Sequence, residues 1–276
     1  MTTGPRRAVV VILVLLGLGV STVFMGRRPQ GPIHLAKVRV RAPRPGVELV
    51  EGEVRSGTRG RGRLTAVFVD LAVARVELVL NPDRAPLGHL RSNPDAWLVA
   101  NAGYFTEQHR PTGLLVNRGQ VLHRFVPEAG SAGSGVLTVQ GTEVRLFERD
   151  AVDPKIIERA DVAVQAGPRI IEPDGSPGIR GDDGMRANRT VLGRDGRGRL
   201  ALVVVYAPEA GLGVGPTLFE LQQLLGPAGL GSVRAELSLD AALNLDGGPS
   251  TGLHFAGLID LPPANRVVSV LRLSDR

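Results

Sequence analysis

Residues 243–251, with the sequence LNLDGGPST, place a carboxylate, two glycines and two hydroxyls in one short stretch. Leu243 and Leu245 alternate with Asn244 and Asp246, which is typical of a buried strand that presents Asn and Asp on its other face. The two glycines then interrupt the pleat, because glycine tolerates the positive φ angles at which successive backbone N–H groups converge on an anion. The pattern predicts a polar site at the end of a strand.

The residue types of this stretch suit a glycosyl phosphate. We expect Gly247 and Gly248 to form an anion nest and Ser250 and Thr251 to add hydroxyl donors. A carboxylate beside an anion nest is unfavourable unless it is protonated or faces a centre that becomes positive in the transition state. A glycosyl phosphate supplies phosphate oxygens for the nest and an anomeric carbon with oxocarbenium character for Asp246. A tight turn with a capping aspartate is the alternative interpretation.

A second polar segment, residues 99–105 (VANAGYF), follows an apolar run. Asn101 can donate to a sugar hydroxyl or a phosphate oxygen, and Gly103 lets a ligand approach the backbone. Tyr104 and Phe105 offer aromatic faces for stacking. The alternative is an ordinary turn with buried aromatic side chains.

The composition limits the kinds of chemistry. The chain has 33 Lys plus Arg against 27 Asp plus Glu, a net charge of +6, which suits an anionic partner such as nucleic acid, a membrane surface or a phosphorylated substrate. The absence of cysteine excludes disulfides, thiolate metal sites and cysteine nucleophiles. The five histidines lack metal-ligand spacing, so no pattern predicts a metal site or a cofactor. The RGRGR run at 59–63 has no interleaved aromatic residue, so we expect no nucleic-acid binding.

The amino-terminal segment predicts a membrane anchor. An uncharged apolar run from Ala8 to Gly26 lies between two arginine pairs and is just long enough to span a bilayer. It is longer than the apolar part of a cleavable signal and has no clear small-x-small exit, which favours an uncleaved signal anchor over residues 1–30. Basic pairs on both sides leave the orientation open. A short leading segment ahead of a large domain favours export to the periplasmic or cell-surface side.

The remaining sequence is richer in strand patterns than in helix patterns. Residues 31–62 are rich in Pro, Arg and Gly, and we interpret them as a tether that grades into an edge element. The runs 64–71 and 74–80 are interpreted as one strand pair. The segments 135–147 and 190–206 are each interpreted as a β-hairpin, because turn residues interrupt their apolar runs.

One helix has a clear start signal. Residues 217–220 (TLFE) fit the Thr-x-x-Glu capping box, and Gly226-Pro227 is a stop signal. Residues 232–242 form a second helical or mixed stretch. Many strands, few helices and no regular alternation predict an α+β fold with mixed or antiparallel sheets, in a single domain over residues 63–276.

Five segments, in order, resemble the signature segments of the phosphodiester glycosidase family. They are Asn101–Phe105, Gln165–Arg169, Arg189–Gly193, Thr217–Leu221 and Asn244–Ser250. The resemblance extends over about 64–273. It implies an α+β fold and hydrolysis of a sugar-1-phosphodiester between the anomeric carbon and the phosphate, with a phosphorylated glycan or glycolipid as substrate.

The resemblance also implies site residues. Arg189 matches the family's Arg-Thr motif, and its planar, permanently charged guanidinium is suited to clamp a phosphate. Thr190 follows as a hydroxyl donor. Asp246 is the first choice for the catalytic carboxylate, as nucleophile, base or acid. The expected substrate-binding residues are Asn101, Gly103, Tyr104, Thr190, Asn244, Gly247, Gly248, Ser250 and Thr251.

Two classes of function fit the sequence. The first is an envelope-anchored hydrolase that cleaves glycosyl phosphodiesters in a polysaccharide, glycolipid or teichoic-acid-like polymer. The second is a non-catalytic module that binds an anionic glycan through the same donors. Asp246 discriminates between them, because a binding module has no need of a carboxylate next to a phosphate site.

Overall fold

The computed structural model describes residues 32–57, 59–91, 95–207 and 214–276, so the predicted anchor over residues 1–30 lies outside the described residues. Residues 31–276 form one compact unit. The strands, in chain order, are β1 (Ile33–Arg44), β2 (Val47–Ser56), β3 (Arg59–Val69), β4 (Ala74–Leu80), β5 (Ala96–Asn101), β6 (Leu115–Asn117), β7 (Gln120–His123), β8 (Gly135–Gln140), β9 (Glu143–Glu148), β10 (Val162–Ala166), β11 (Arg169–Ile171), β12 (Arg189–Asp195), β13 (Leu200–Tyr206), β14 (Leu239–Asn244), β15 (Leu253–Phe255), β16 (Ile259–Leu261) and β17 (Ser269–Asp275). The α-helices of the described residues are α1 (Pro154–Arg159), α2 (Leu218–Leu225) and α3 (Leu230–Val233).

The strands form three sheets in which the described pairings are antiparallel. A seven-stranded sheet has the order β1-β2-β3-β13-β12-β14-β11. Two five-stranded sheets have the orders β7-β6-β10-β8-β9 and β16-β15-β5-β17-β4. Antiparallel sheets with few helices agree with the predicted α+β class.

The seven-stranded sheet is buried on both faces near its centre. In β13, Leu202 and Val204 belong to a core that includes residues of all three sheets. Val203 and Val205 point to the opposite face and pack with Leu221 and other apolar residues of the α2 region. Because both faces are covered, the central strands are continuous apolar runs rather than alternating ones.

The predicted tether is corrected by the structure. Within residues 31–62, β1 and β2 are strands of the seven-stranded sheet, and β3 begins at Arg59. β1 is an edge strand of this sheet, as the sequence suggested for one end of the segment, while β2 is hydrogen-bonded on both sides.

The predicted pairing of the runs 64–71 and 74–80 is wrong. Both runs are strands, but β3 pairs with β2 and β13, whereas β4 pairs with β17 in another sheet. Period-two alternation predicts a strand and leaves its partner undetermined.

Local signals were more reliable. The two predicted hairpins are present as β8–β9 and β12–β13. The capping box of α2 is formed on both sides: Thr217 Oγ1 accepts a hydrogen bond from the Glu220 amide at 3.2 Å, and Glu220 Oε2 accepts one from the Thr217 amide at 3.1 Å. Residues 232–242 are mixed, as predicted, with the end of α3, a 3-10 turn and the start of β14.

Within the described ranges, we find no helix with the length and apolar content needed to cross a membrane.

Candidate active site

Asp246 lies where the three sheets meet. It follows the end of β14, and its backbone amide donates to the carbonyl of Ala102, just after β5, at 3.2 Å. The amide of Gly167, just after β10, donates to the carbonyl of Asn244 at 3.0 Å. One strand end from each sheet therefore positions this segment, so its geometry is set by long-range contacts.

Asn101 forms hydrogen bonds to this junction through its side chain. It is fully buried, and its Nδ2 donates to the backbone carbonyl of Asp246 at 2.7 Å. Its Oδ1 accepts from Thr190 Oγ1 at 2.8 Å and from the amide of Gly252 at 3.0 Å. Thr251 Oγ1, also buried, lies 3.4 Å from Thr190 Oγ1. These polar groups are used by the fold, which favours a positioning role for Asn101, Thr190 and Thr251.

The Asp246 carboxyl group is held in a partly dry environment. Burial raises the pKa of Asp246 from its usual value of 3.8 to about 6, and hydrogen bonds from the Ser250 side chain and the Gly247 backbone oppose this rise. Ser250 is itself buried. A carboxyl group with a pKa near 6 is mostly ionised at pH 7, and its charge acts in a medium of low polarity.

Tyr104 and Asn244 form a second polar unit next to this carboxyl. Tyr104 Oη donates to the Gly167 carbonyl at 2.7 Å and accepts from Asn244 Nδ2 at 2.6 Å. Asn244 Nδ2 also approaches the carbonyls of Gly167 at 3.3 Å and Leu245 at 3.0 Å. Burial and the nearby Asp246 raise the pKa of Tyr104, so its phenol is neutral at ordinary pH.

Arg189 is the first residue of β12, and its guanidinium has more N–H donors than the two hydrogen bonds described for it use. Its Nε donates to the Pro216 carbonyl at 3.3 Å, and its Nη2 donates to the Met185 carbonyl at 2.8 Å. Among the residues that the structure describes, no carboxylate oxygen lies within the 4.0 Å that defines an ion pair with Arg189. A guanidinium has five N–H donors, so the edge formed by Nη1 and Nη2 is available for a planar anion.

Tyr104 is near both charged groups of the site. The charges of Asp246 and of Arg189 both act on the pKa of Tyr104, the first raising it and the second lowering it. Neither charge is among the influences on the pKa of the other, and burial lowers the pKa of Arg189. The site therefore holds a carboxylate and a guanidinium that are both close to one neutral phenol and that form no ion pair with each other among the described groups.

The glycine segment does not form the anion nest that the sequence suggested. The amide of Gly248 donates to the Asn188 carbonyl at 2.8 Å, and the amide of Gly247 binds the Asp246 carboxyl group. A Cβ on Gly247 would lie 2.7 Å from the Asn188 carbonyl oxygen, so this glycine is needed for packing. Gly248 has φ +58° and open space around its missing side chain. Its exposed Cα face is the part of the segment that a ligand can approach.

The structural need for a glycine at Gly103 is weaker than the sequence suggested. It is buried, and a Cβ there would make ordinary contacts with Leu115 at 3.5 Å and Val164 at 3.8 Å. The absence of a side chain at Gly103 is therefore compatible with core packing alone.

Four residues that shape the site had no role predicted from the sequence. They are Gly167, Met185, Asn188 and Pro216, each of which contributes a backbone carbonyl. Backbone acceptors leave no side-chain signature. Gly167 alone had a signal, as part of the Gly-Pro pair in a signature segment, and a Cβ there would lie 2.1 Å from the Ser131 carbonyl oxygen.

In the described part of the chain, no group of three or more His, Asp or Glu side chains is placed to hold a metal ion.

The comparison with protein families identifies the class. The profile of the phosphodiester glycosidase family matches residues 95–270, which is more than half of the chain. All five signature segments lie within this match. The chain belongs to the phosphodiester glycosidase family, as the sequence resemblance indicated.

Solved structures share the fold. A hypothetical protein from Synechocystis has a TM-score of 0.58 and 17% identity over 87% of this chain and 64% of its own, so the present chain spans less than two thirds of that protein. The catalytic domain of zebrafish N-acetylglucosamine-1-phosphodiester alpha-N-acetylglucosaminidase, auto-inhibited by its pro-peptide, has a TM-score of 0.54 and 14% identity over 91% of this chain and 85% of its own. A protein from Burkholderia pseudomallei K96243 has a TM-score of 0.56 and 13% identity over 89% of this chain and 98% of its own. The comparison with curated proteins finds no match.

Proposed function

We propose that this protein is a hydrolase that cleaves the glycosidic bond of a sugar-1-phosphodiester in an envelope or extracellular glycan. The observation that carries the proposal is that a carboxylate, Asp246, and a guanidinium, Arg189, both act on Tyr104 and form no ion pair with each other among the described groups. The transition state of a glycosyl phosphate has the complementary charges, with a positive anomeric carbon on one side of the breaking bond and an anionic phosphate on the other. Family membership supports the same reaction class.

Each charged group has a defined task in this proposal. The bond between the anomeric carbon and the phosphate oxygen breaks, and its electron pair leaves with the phosphate. Asp246, as a carboxylate, stabilises or attacks the anomeric carbon, and a water molecule finally supplies the hydroxyl group. The Nη1 and Nη2 edge of Arg189 binds the phosphate oxygens and balances the charge of the leaving group. A phosphate monoester is a good leaving group, so one carboxylate is sufficient.

The other site residues support these two. Ser250 and the Gly247 amide hold the Asp246 carboxyl, while Asn101, Thr190 and Thr251 hold its backbone. The phenol of Tyr104 donates its proton to the Gly167 carbonyl, so we assign its ring, and not its hydroxyl, to contact with the sugar. Asn244 fixes that ring by its bond to Tyr104 Oη.

A panel of sugar-1-phosphodiesters tests this function. The full-length protein is incubated with each compound and release of free sugar is measured, beginning with an α-linked N-acetylglucosamine 1-phosphodiester because the zebrafish relative is named for that substrate. Asp246→Asn is the matched control, because it keeps the size and hydrogen-bonding reach of the side chain and removes its charge. We expect turnover by the wild type and a loss of at least about 100-fold in the variant.

The same experiment separates the hydrolase from the binding module. In a hydrolase, Asp246→Asn abolishes turnover and leaves binding of an uncleaved analogue intact or stronger, since repulsion between carboxylate and phosphate disappears. A protein that binds the phosphodiesters but releases no sugar from any of them is a binding module, and the hydrolase proposal is then rejected.

We also propose that residues 1–30 anchor the protein in a membrane, with the domain on the extracytoplasmic side. The support is the apolar run from Ala8 to Gly26 between two arginine pairs. Protease treatment of intact spheroplasts should digest the domain. Protection of the domain until the cells are lysed would reject this topology.

A further inference from the structure

Two loops meet beyond the end of the sheet that carries Asn101. In that sheet, Ser269 of β17 pairs with Leu80 of β4, and the next residue, Val270, pairs with Asn101 of β5. The loop after β4 and the loop after Tyr104 therefore leave the sheet at the same end. This is the end at which Asp246 contacts Ala102.

The two loops are joined by an arginine and a histidine. Arg84 Nη1 lies 2.9 Å from His109 Nε2, and the His109 ring stacks on Phe105, with ring centroids 6.0 Å apart and planes inclined by 16°. Because a guanidinium only donates, Nε2 is the acceptor and the ring proton is on Nδ1. That N–H and the remaining donors of Arg84 are then available to an anion.

Both residues have an unfavourable backbone conformation. Arg84 has φ +51° and His109 has φ +58°, in the left-handed region that residues with a Cβ rarely occupy. Such conformations persist where the surrounding structure imposes them, and they are frequent at ligand sites. Here both unusual conformations meet in one side-chain contact.

A second arginine lies in the same loops. Arg110, next to His109, is exposed. In the described ranges, neither Arg84 nor Arg110 has a carboxylate oxygen within 4.0 Å, although Asp83 and Glu107 lie in the same loops. Two guanidinium groups and an imidazole N–H are thus carried by two loops at the same end of the sheet, and the imidazole stacks on Phe105.

We propose that Arg84, His109 and Arg110 form a second anion subsite, which holds a phosphate of the substrate other than the one that Arg189 binds. The substrate class is a glycan chain in which phosphodiesters repeat, so that one phosphate is at the cleavage point and a neighbouring one is in this subsite. This inference rests on the proposed function, because it assigns the subsite to the same cleft and the same substrate.

The first experiment measures anion binding directly. Binding of tripolyphosphate and of inorganic phosphate to the full-length protein is compared for the wild type and for a double variant, Arg84→Gln with Arg110→Gln. Arg159→Gln is the matched control, because Arg159 is exposed on α1, ahead of β10, at the opposite end of that strand from Gly167. We expect the double variant to bind tripolyphosphate at least about tenfold more weakly and the control to bind like the wild type. Unchanged binding in the double variant, or an equal loss in the control, would overturn the subsite.

The second experiment measures catalysis. The phosphodiester that the wild type cleaves fastest is compared with its phosphodiester-linked trimer. The double variant should lose about tenfold in kcat/KM on the trimer and keep wild-type kinetics on the single phosphodiester. An equal effect on both substrates would reject a separate subsite. If the wild type cleaves no sugar phosphodiester while tripolyphosphate binding still depends on the two arginines, the proposed function fails and the anion site loses its role in substrate binding.

Discussion

The charged groups at the two ends of β12 differ in whether they form ion pairs. At its last residue, Asp195 is fully buried and bound to Arg199, whose Nε lies 2.8 Å from Asp195 Oδ2, and Arg199 also contacts Glu48 at 3.1 Å. At its first residue, Arg189 contacts only backbone carbonyls among the described groups, and the nearby Asp246 is held by hydrogen bonds from Ser250 and Gly247. One end of the strand has paired ions and the other has separated ions.

A described cavity and unpaired charge point to different ends of β12. A cavity of about 800 Å³ opens near the paired end, lined by Glu48, Arg44 and Arg199 among others. The charges there already have partners, because Arg44 binds Asp275 at 2.6 Å and Glu48 binds Arg199. An ionic ligand would have to displace those partners, whereas the guanidinium of Arg189 is available at once. Unpaired charge therefore favours the Arg189 end as the candidate site.

The largest expected effect is on folding at the paired end. Asp195→Asn should lower the free energy of unfolding by about 3–5 kcal/mol, because it leaves the Arg199 charge buried with incomplete compensation. The protein that folds should keep the wild-type kcat. Urea unfolding and active-site-normalised kinetics check this. A large loss of kcat with unchanged stability would place catalytic chemistry at the paired end and remove the contrast.

Asp246→Asn should stabilise the fold at high pH. The pKa of Asp246 is raised by folding from 3.8 to about 6, so the folded protein favours the neutral group and its stability falls as the pH rises from about 4 to about 6. The shift of about two pKa units corresponds to at most about 3 kcal/mol, less because the group is partly solvated. Urea unfolding should show similar stability for both proteins near pH 4 and a more stable variant at pH 8. A variant that is less stable at pH 8 would contradict the cost of the ionised carboxylate.

The pH dependence of the wild-type activity follows from the same group. If Asp246 acts as a carboxylate, kcat/KM should rise as the pH increases through about 6 and then level off, because only the ionised form reacts. The measurement is a pH profile on a single phosphodiester between pH 4.5 and 8. A profile that falls through pH 6 would assign Asp246 the role of an acid.

Arg189→Lys should lower kcat/KM by about 10- to 100-fold, because a single ammonium cannot reproduce two donors on one planar edge. Arg199→Lys is the matched control at the other end of the β12–β13 hairpin, and it should change stability and leave kcat/KM of the folded protein unaltered. Wild-type kinetics in a folded Arg189→Lys protein would show that Arg189 is not the phosphate clamp.

The smallest effect is expected at Gly248. Gly248→Ala should destabilise the protein by about 1–2 kcal/mol, because alanine must adopt φ +58° although space for its Cβ is available. Thermal unfolding measures this, with Gly103→Ala as the comparison, since Gly103 has no positive φ. Equal losses at the two positions would indicate that space, and not backbone conformation, limits Gly248.

The sequence predicted the parts of the molecule that depend on neighbouring residues. The α2 capping box and the β8–β9 and β12–β13 hairpins need only short-range contacts, so their patterns were sufficient. β1 and β2 were missed because Pro, Arg and Gly are typical of loops, and their strand conformation depends on pairing along β3. The partner of β4 could not be predicted, because alternation does not encode which strand lies alongside.

For the candidate site, the sequence indicated which residues lie together more clearly than what each of them contacts. Asp246, Arg189, Tyr104 and Asn244 meet in one place, as the signature segments implied. Asn101 was interpreted as a ligand contact because its amide is polar and follows a strand, but its burial can only be seen once three sheets meet around it. The Gly248 amide was interpreted as an anion donor, and the Asn188 carbonyl that takes this N–H lies 60 residues earlier in the chain.

The edge strand β1 has a consequence for colloidal behaviour. Its outer row of N–H and C=O groups is open to pairing with another polypeptide, which is how sheet proteins form fibrous aggregates. Lys37, Arg39 and Arg41 lie along this strand, and its register with β2 shifts twice. Lys37 also has φ +50°, which is incompatible with a flat ladder. Lys37 and Arg41 are paired with Glu53 and Glu51 of β2. We expect these charged side chains and the irregular backbone to hinder edge-to-edge joining, so that the protein resists aggregation at high local concentration.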